Sequence, residues 1–295
     1  MVKTRKPLMS KEKKTLIFKC VGQSYIWILL LLMYLPVLVL MIYSFTVGEN
    51  GGDLNLGEWG KFSFDLYINL FKDAQIQRAI GNTVIIALLA ATLSTIIGTM
   101  GAIGVYECKK LPKRSLEFLT QIPVVNPEIV IALSLIVVFV ALGIHLSFWT
   151  LLLGHLVLTI PFVYLSVKPK LIQMDPALYE AALDLGCTPR QALRKAVFPE
   201  IVPGILSGFL IAITLSLDDF IVTAFTTGPG LLSGNSDIQT ISTYVEGIIK
   251  KHPLPAELRA LCTIIFLLVL LLAVGFTLLQ NQKAKKNKKR KGRTY

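Results

Sequence analysis

The sequence has 295 residues, 54% hydrophobic and only 16% charged, with a formal net charge of +12. Soluble domains carry about 25% charged residues, so this composition, with a mean hydropathy of +0.65, excludes an ordinary soluble enzyme. A nucleic-acid-binding protein spreads its basic residues over a polar surface. Here they fall in blocks between long uncharged runs, the pattern of a polytopic membrane protein.

Taken in chain order, Cys20 to Gly48 and Ala79 to Tyr106 contain no Asp, Glu, Lys or Arg. From Phe118 to Val167 the one charged residue is Glu128, and a break near Gly143–Ser147 divides that stretch into two spans of about 20 residues. Ile201 to Ser236 holds only the pair Asp218–Asp219, and Ala260 to Gln282 is uncharged again. The expectation is an all-α protein with six transmembrane helices near 24–45, 80–105, 119–142, 148–167, 203–225 and 257–279, because lipid-exposed backbone must satisfy its own hydrogen bonds. The first run is too long for the roughly 7–15-residue core of a signal peptide, and no small-x-small cleavage site follows it. It reads as an uncleaved span. Residues 1–23 then form a basic N-terminal segment, 24–279 a single six-span membrane domain, and 280–295 a basic tail.

Basic residues set orientation. With both termini cytoplasmic, the inner segments hold 24 of the 30 Lys and Arg, and the outer loops hold Lys61, Lys72, Arg78, Lys250, Lys251 and Arg259. The +12 is therefore an orientation signal, and no nucleic-acid partner is expected. The tail Lys283–Arg293 meets anionic lipid. Cys20, Cys108, Cys187 and Cys262 form no CxxC pair, and His145, His155 and His252 no metal-ligand set, so neither disulfide nor metal is expected. His155, inside a span, reads as a packed histidine.

Three ionisable residues lie within spans, and all are acidic: Glu128, Asp218 and Asp219. A central acid costs about 2.5–3.5 kcal/mol, so three unrelieved acids cost on the order of 8–10 kcal/mol. A water-filled cavity, protonation or a cationic cargo relieves them. An alternative is that one or two are structural, bonded to helix ends. As neighbours on a helix, Asp218 and Asp219 point about 100° apart, so at most one faces a path squarely. Pro123 and Pro127 predict a kink or interruption beside Glu128. After the pair, Thr223, Thr226 and Thr227 offer hydroxyls, and Phe220 and Phe225 offer ring faces. Two outer loops, 46–78 with a possible interfacial helix around Phe64–Phe71, and 226–256 with Gly228-Pro229-Gly230, are either docking surfaces for an external protein or plain solvated loops.

The segment 168–200 is the most informative. Asp175 suits an N-cap, Pro176 the first helical position and Gly186 the left-handed residue past the end. Thr188, Pro189 and Gln191 then form a capping box that starts a second short helix, expected to end near Pro199. The first helix places Leu178, Ala181, Ala182 and Leu185 on one face and is too short to stand alone, so it must dock. It is either a packing element of a channel or carrier, or a knob for a separate protein.

Glu180-Ala181-Ala182, three residues, Gly186, nine residues and Ala196-Val197-Phe198-Pro199 resemble the EAA loop of ABC-importer permeases, E-A-A-x3-G-x9-I-x-L-P, with Ala196 for Ile and Phe198 for Leu. The stretches from Ile122 to Leu135 and from Ser216 to Gly230 are similar to the spermidine/putrescine permeases of that family. The resemblance implies the MetI-like type I importer fold. It implies a second homologous permease, two ATP-binding subunits and an extracytoplasmic polyamine-binding protein as partners, with Glu180, Ala181, Ala182 and Gly186 in the contact to the ATPase. A path lined by Glu128, Asp218 and Asp219 suits polyamines, whose amines are protonated. No G-x-x-x-x-G-K-[ST] occurs, so the chain has no phosphate cradle of its own and is not expected to be an enzyme.

Overall fold

The computed structural model describes residues 11–47, 61–108, 110–227, 238–250, 257–267, 270–271 and 274. These form two compact units, Asp73–His252 and a second one combining Met1–Lys72 with Pro253–Tyr295.

In the second unit, α1 (Lys11–Tyr43) contains an apolar span from Gln23 to Tyr43 whose side chains are almost all exposed. It leads into a two-residue antiparallel pair, β1 (Thr46–Val47) and β2 (Lys61–Phe62), the only strands among the described residues. An eight-residue helix, α2 (Asp65–Lys72), follows where an interfacial helix was expected. Phe45 stacks on Phe62 at 5.9 Å and meets Phe64 edge-on at 5.8 Å, which ties the strand pair to the start of α2. Residues 257–267 are helical, and Tyr34 of α1 meets Phe266 edge-on. Arg259, assigned to an outer loop from sequence, is buried in this helix, which starts ahead of the uncharged run.

The other unit is built on three long helices. Asp73 caps α3 (Ala74–Glu107) by accepting from the Gln75 and Ile76 N–H groups. At 34 residues, α3 is about 51 Å long, more than the roughly 30 Å of hydrocarbon it must cross. It packs against α6 (Phe148–Gln173) and α9 (Phe198–Asp218), which also pack on each other. Small residues permit the close approach. A Cβ on Gly98 would fall 2.9 Å from Val163, and one on Gly204 would fall 2.9 Å from the Ser166 carbonyl. Ala91, Val163, Val167, Leu171, Ile201 and Ala212 fill the space between them.

The third expected span is broken. The chain bends by 105° between α4 (Lys110–Val125) and α5 (Glu128–Ala141), at Asn126–Pro127, as the flanking prolines predict. α4 packs on α6, where Lys168 and Glu117 pair at 3.0 Å. The predicted break after α5 is made by Gly143 at φ +66°, and Thr150 then accepts from the Ser147 N–H at the start of α6.

Two expectations need correction. The helix that begins at Thr188 does not end near Pro199. α8 (Pro189–Ala192) runs through a π-helical turn (Leu193–Val197) into α9, a continuous 30-residue span from Pro189 to Asp218. Proline lacks an N–H and clashes with the carbonyl four residues back. The wider turn, in which the Phe198 N–H reaches the Leu193 carbonyl, absorbs that defect without stopping the helix. The span expected over 203–225 is in turn interrupted, because α9 stops at Asp218, Asp219 is extended (ψ 123°), and a short helix, α10 (Ile221–Thr226), follows. Among the described residues, four helices are thus long and apolar enough to cross a membrane, and the bent α4–α5 pair makes up to five. Of the sixth expected span, the part beyond residue 267 lies almost wholly outside the described residues, as do 228–237 and the tail.

Candidate functional site

The chemistry concentrates at the break between α9 and α10. The Asp219 side chain turns inward and is fully buried. Its Oδ1 accepts from the Val222 N–H at 3.2 Å, and its Oδ2 accepts from the Thr223 N–H at 2.8 Å and the Thr223 hydroxyl at 2.9 Å. These are the orphan N–H groups of a helix start, and a carboxylate is their strongest acceptor. The Asp219 carbonyl, freed by the break, takes the Ser242 hydroxyl at 2.8 Å from α11 (Ile241–Ile249). α11 is itself fixed to α3, where the Ile241 N–H donates to Thr83 Oγ1 and the Asn82 amide donates to the Gln239 carbonyl.

His155 of α6, 0% exposed, lies beside this cap. Its Nε2 is 3.0 Å from Thr223 Oγ1 and 3.7 Å from Asp219 Oδ2, and its Nδ1 is 2.8 Å from Ser216 Oγ. α10 sits against α6 where Gly154 leaves room, since a Cβ there would fall 2.6 Å from Val222. Thr150 Oγ1 donates to the Thr226 carbonyl across the same contact.

Asp218 and Glu128 differ from Asp219 in being exposed. Glu128 opens α5 just after the bend, and α5 packs against α10. Glu128 lies within electrostatic range of both aspartates. The structure therefore gathers the three predicted acids at two helix interruptions and divides them into one satisfied carboxylate and two outward-facing ones. The three threonine hydroxyls are spent locally. Thr226 donates to the Val222 carbonyl, Thr227 to the Thr223 carbonyl, and Thr223 to Asp219.

The second cluster is the loop between α6 and α8. Asp175 accepts from the Ala177 N–H and starts α7 (Ala177–Asp184). Gly186 takes φ +82°, as its sequence position predicts, and Thr188 and Gln191 cap each other's backbone. Tyr179, Ala182 and Leu183 are half-buried, whereas Leu178, Glu180, Ala181 and Leu185 are exposed, Leu185 at 86%. The apolar face expected to dock is thus turned outward except for Ala182. Behind α7 lies a cavity of about 360 Å³ between Tyr106, Glu107, Met174, Tyr179 and Arg190.

Residues 94–286, which include both clusters, match the family of binding-protein-dependent transport system inner membrane components. The chain belongs to this family, the ABC-importer permeases. The permease is 32% identical over 85% of its length to the spermidine/putrescine transport system permease protein PotC of Haemophilus influenzae, covering 93% of that protein. It is 34% identical to the putrescine transport system permease protein PotI of Escherichia coli, over 74% of this chain and 82% of that one. A bacterial ABC transporter involved in alginate import has a similar fold, with a TM-score of 0.66 at 19% identity, covering 90% of this chain and 96% of that one. The MetNI methionine ABC transporter gives 0.54 at 17% identity, over 73% and 95%.

The permease is accordingly a multi-pass subunit that couples to an ATPase partner and has no catalytic role of its own. Sequence reasoning set His155 aside as packing. Its link to the acidic pair arises from residues 61 and 68 positions away, which no local motif signals.

Proposed function

We propose that this permease is one of two in an ATP-driven importer of polyamines of the spermidine/putrescine type. The observation that carries the reading is the pair of exposed carboxylates, Glu128 and Asp218, at two helix interruptions in one unit. Broken helices at membrane depth line cavities, and an ionised acid there is relieved by water or by a cation. The 32–34% identity to spermidine/putrescine and putrescine permeases supports the same cargo class.

In this reading six spans form one domain over 24–279 with both termini cytoplasmic. A loaded binding protein docks outside, and one of the two ATP-binding subunits receives α7 through Glu180, Ala181, Ala182 and the turn at Gly186. Their closure moves α7, and the spans reorganise around the acidic path. The test is uptake by the reconstituted transporter of spermidine and putrescine against neutral and anionic solutes. Polyamine uptake that falls in both Asp218→Asn and Glu128→Gln, with assembly unchanged, is the expected result. Normal uptake in both variants sinks the acidic path, and uptake of a different cation alone moves the permease to another cargo.

A further inference from the structure

The break at Asp219 is fastened by a residue that lies outside the broken helix. His155 bonds Ser216 on α9 with one ring nitrogen and Thr223 on α10 with the other. The donor count fixes the directions. The Thr223 hydroxyl gives its hydrogen to Asp219, so it accepts from the His155 Nε2–H, and Nδ1 takes the Ser216 hydroxyl hydrogen. A single imidazole therefore spans the interruption and orders the hydroxyl that supports the Asp219 carboxylate.

The placement of His155 gives this tie a direction of action. α6 continues from His155 to Gln173 and leads through Met174 into α7. α9 starts from the same loop and lies flat on α6, where Gly204 and Gly208 bring its backbone against Ser166 and Val163. A shift of α7 carried along α6 arrives at the α9–α10 break through His155.

We propose that His155 is a positioning residue for the translocation path: its two hydrogen bonds hold the break so that Asp219 stays engaged as the cap of α10 while Asp218 stays turned out. The proposal rests on the reading of Asp218 as cargo-facing.

The experiment uses the whole transporter with its ATPase and binding-protein partners. His155→Leu removes both bonds, and His155→Gln keeps a polar group near the Nε2 position. Expected for His155→Leu is a rise of about tenfold in ATP hydrolysed per spermidine imported, the scale of one or two lost hydrogen bonds, with ATPase activity retained. His155→Gln restores most of the coupling. A purely structural role lowers uptake and ATPase together, and that outcome overturns the proposal, as does a Gln variant no better than Leu.

A second readout needs no cargo. With the four native cysteines replaced, Asp218→Cys is labelled by a charged thiol reagent. Labelling slows several-fold on adding His155→Leu and recovers with His155→Gln; unchanged labelling refutes the positioning role even if the transporter does not carry spermidine. Should His155→Leu not assemble, Ser216→Ala removes the Nδ1 bond alone and Thr223→Val removes the Nε2 bond together with the Thr223–Asp219 bond, and parental labelling in both is equally fatal.

Discussion

Asp219→Asn replaces one carboxylate oxygen with NH2 at nearly constant volume, so its cost isolates the cap. The amide has one acceptor where the carboxylate has two. With its oxygen at the Oδ2 position it still accepts from the Thr223 N–H and hydroxyl, but its NH2 then faces the Val222 N–H, donor against donor, at 3.2 Å. Leaving a buried N–H unsatisfied costs about 1–3 kcal/mol. Loss of the charge removes roughly half the strength of the two remaining bonds. Cheaper burial of a neutral group offsets part of this, leaving about 2–3 kcal/mol. At roughly 2–4 °C per kcal/mol, the melting temperature should fall by about 4–12 °C. The assay is the loss of monodisperse complex on heating in detergent, read by size exclusion. Asp218→Asn is the control. The Asp218 side chain is exposed and makes no hydrogen bond among the described residues, so the melting point of this variant should stay within about 1 °C. Equal shifts in the two variants, or none in Asp219→Asn, would refute the division of the pair into a structural and a cargo-facing acid.

Gly154→Val should unseat α10, because its Cβ falls 2.6 Å from Val222 and the further methyls have nowhere to go. Overpacking of this kind costs about 1–3 kcal/mol, and protease sensitivity near residue 226 should rise. Gly186→Ala meets no atom within 4 Å, so its cost is purely backbone, about 1–2 kcal/mol at φ +82°. Its effect should appear in ATPase binding rather than in membrane insertion, and a parental affinity would count against the turn's role. Glu180→Lys, on the exposed side of α7, should leave the chain in the membrane at normal levels while transport per ATP hydrolysed drops. Unchanged transport argues against docking through this residue.

Legibility in the sequence followed range. The loop from Asp175 to Gln191 was readable to within one residue, α7 starting at Ala177, because caps and left-handed glycines act over three or four positions. The bend before Glu128 was marked by its prolines. The helix running through Pro199 was not readable, since a π-turn absorbs the defect without a distinctive residue. Nor was the break at Asp219, which neither proline nor glycine announces. Asp218-Asp219 inside an apolar run reads as two neighbouring charges on one continuous helix, with nothing local to say which of them faces a path. Only the fold reveals that one of them is the start of the next helix, with His155 brought in from another span.

The interrupted span also bears on the life of the protein before assembly. At the end of α9 a carboxylate, Asp218, faces outward, while the main chain at the break beside it is buried and hydrogen-bonded. Hydrocarbon does not tolerate such an exposed charge. A copy that inserts without a neighbour to shield this face exposes there the kind of defect that membrane quality-control proteases recognise. Surplus copies should therefore be short-lived, and co-production with the neighbouring subunit should lengthen their half-life. The same single carboxylate charge that suits a cation in the finished transporter makes the solitary chain a poor resident of the bilayer.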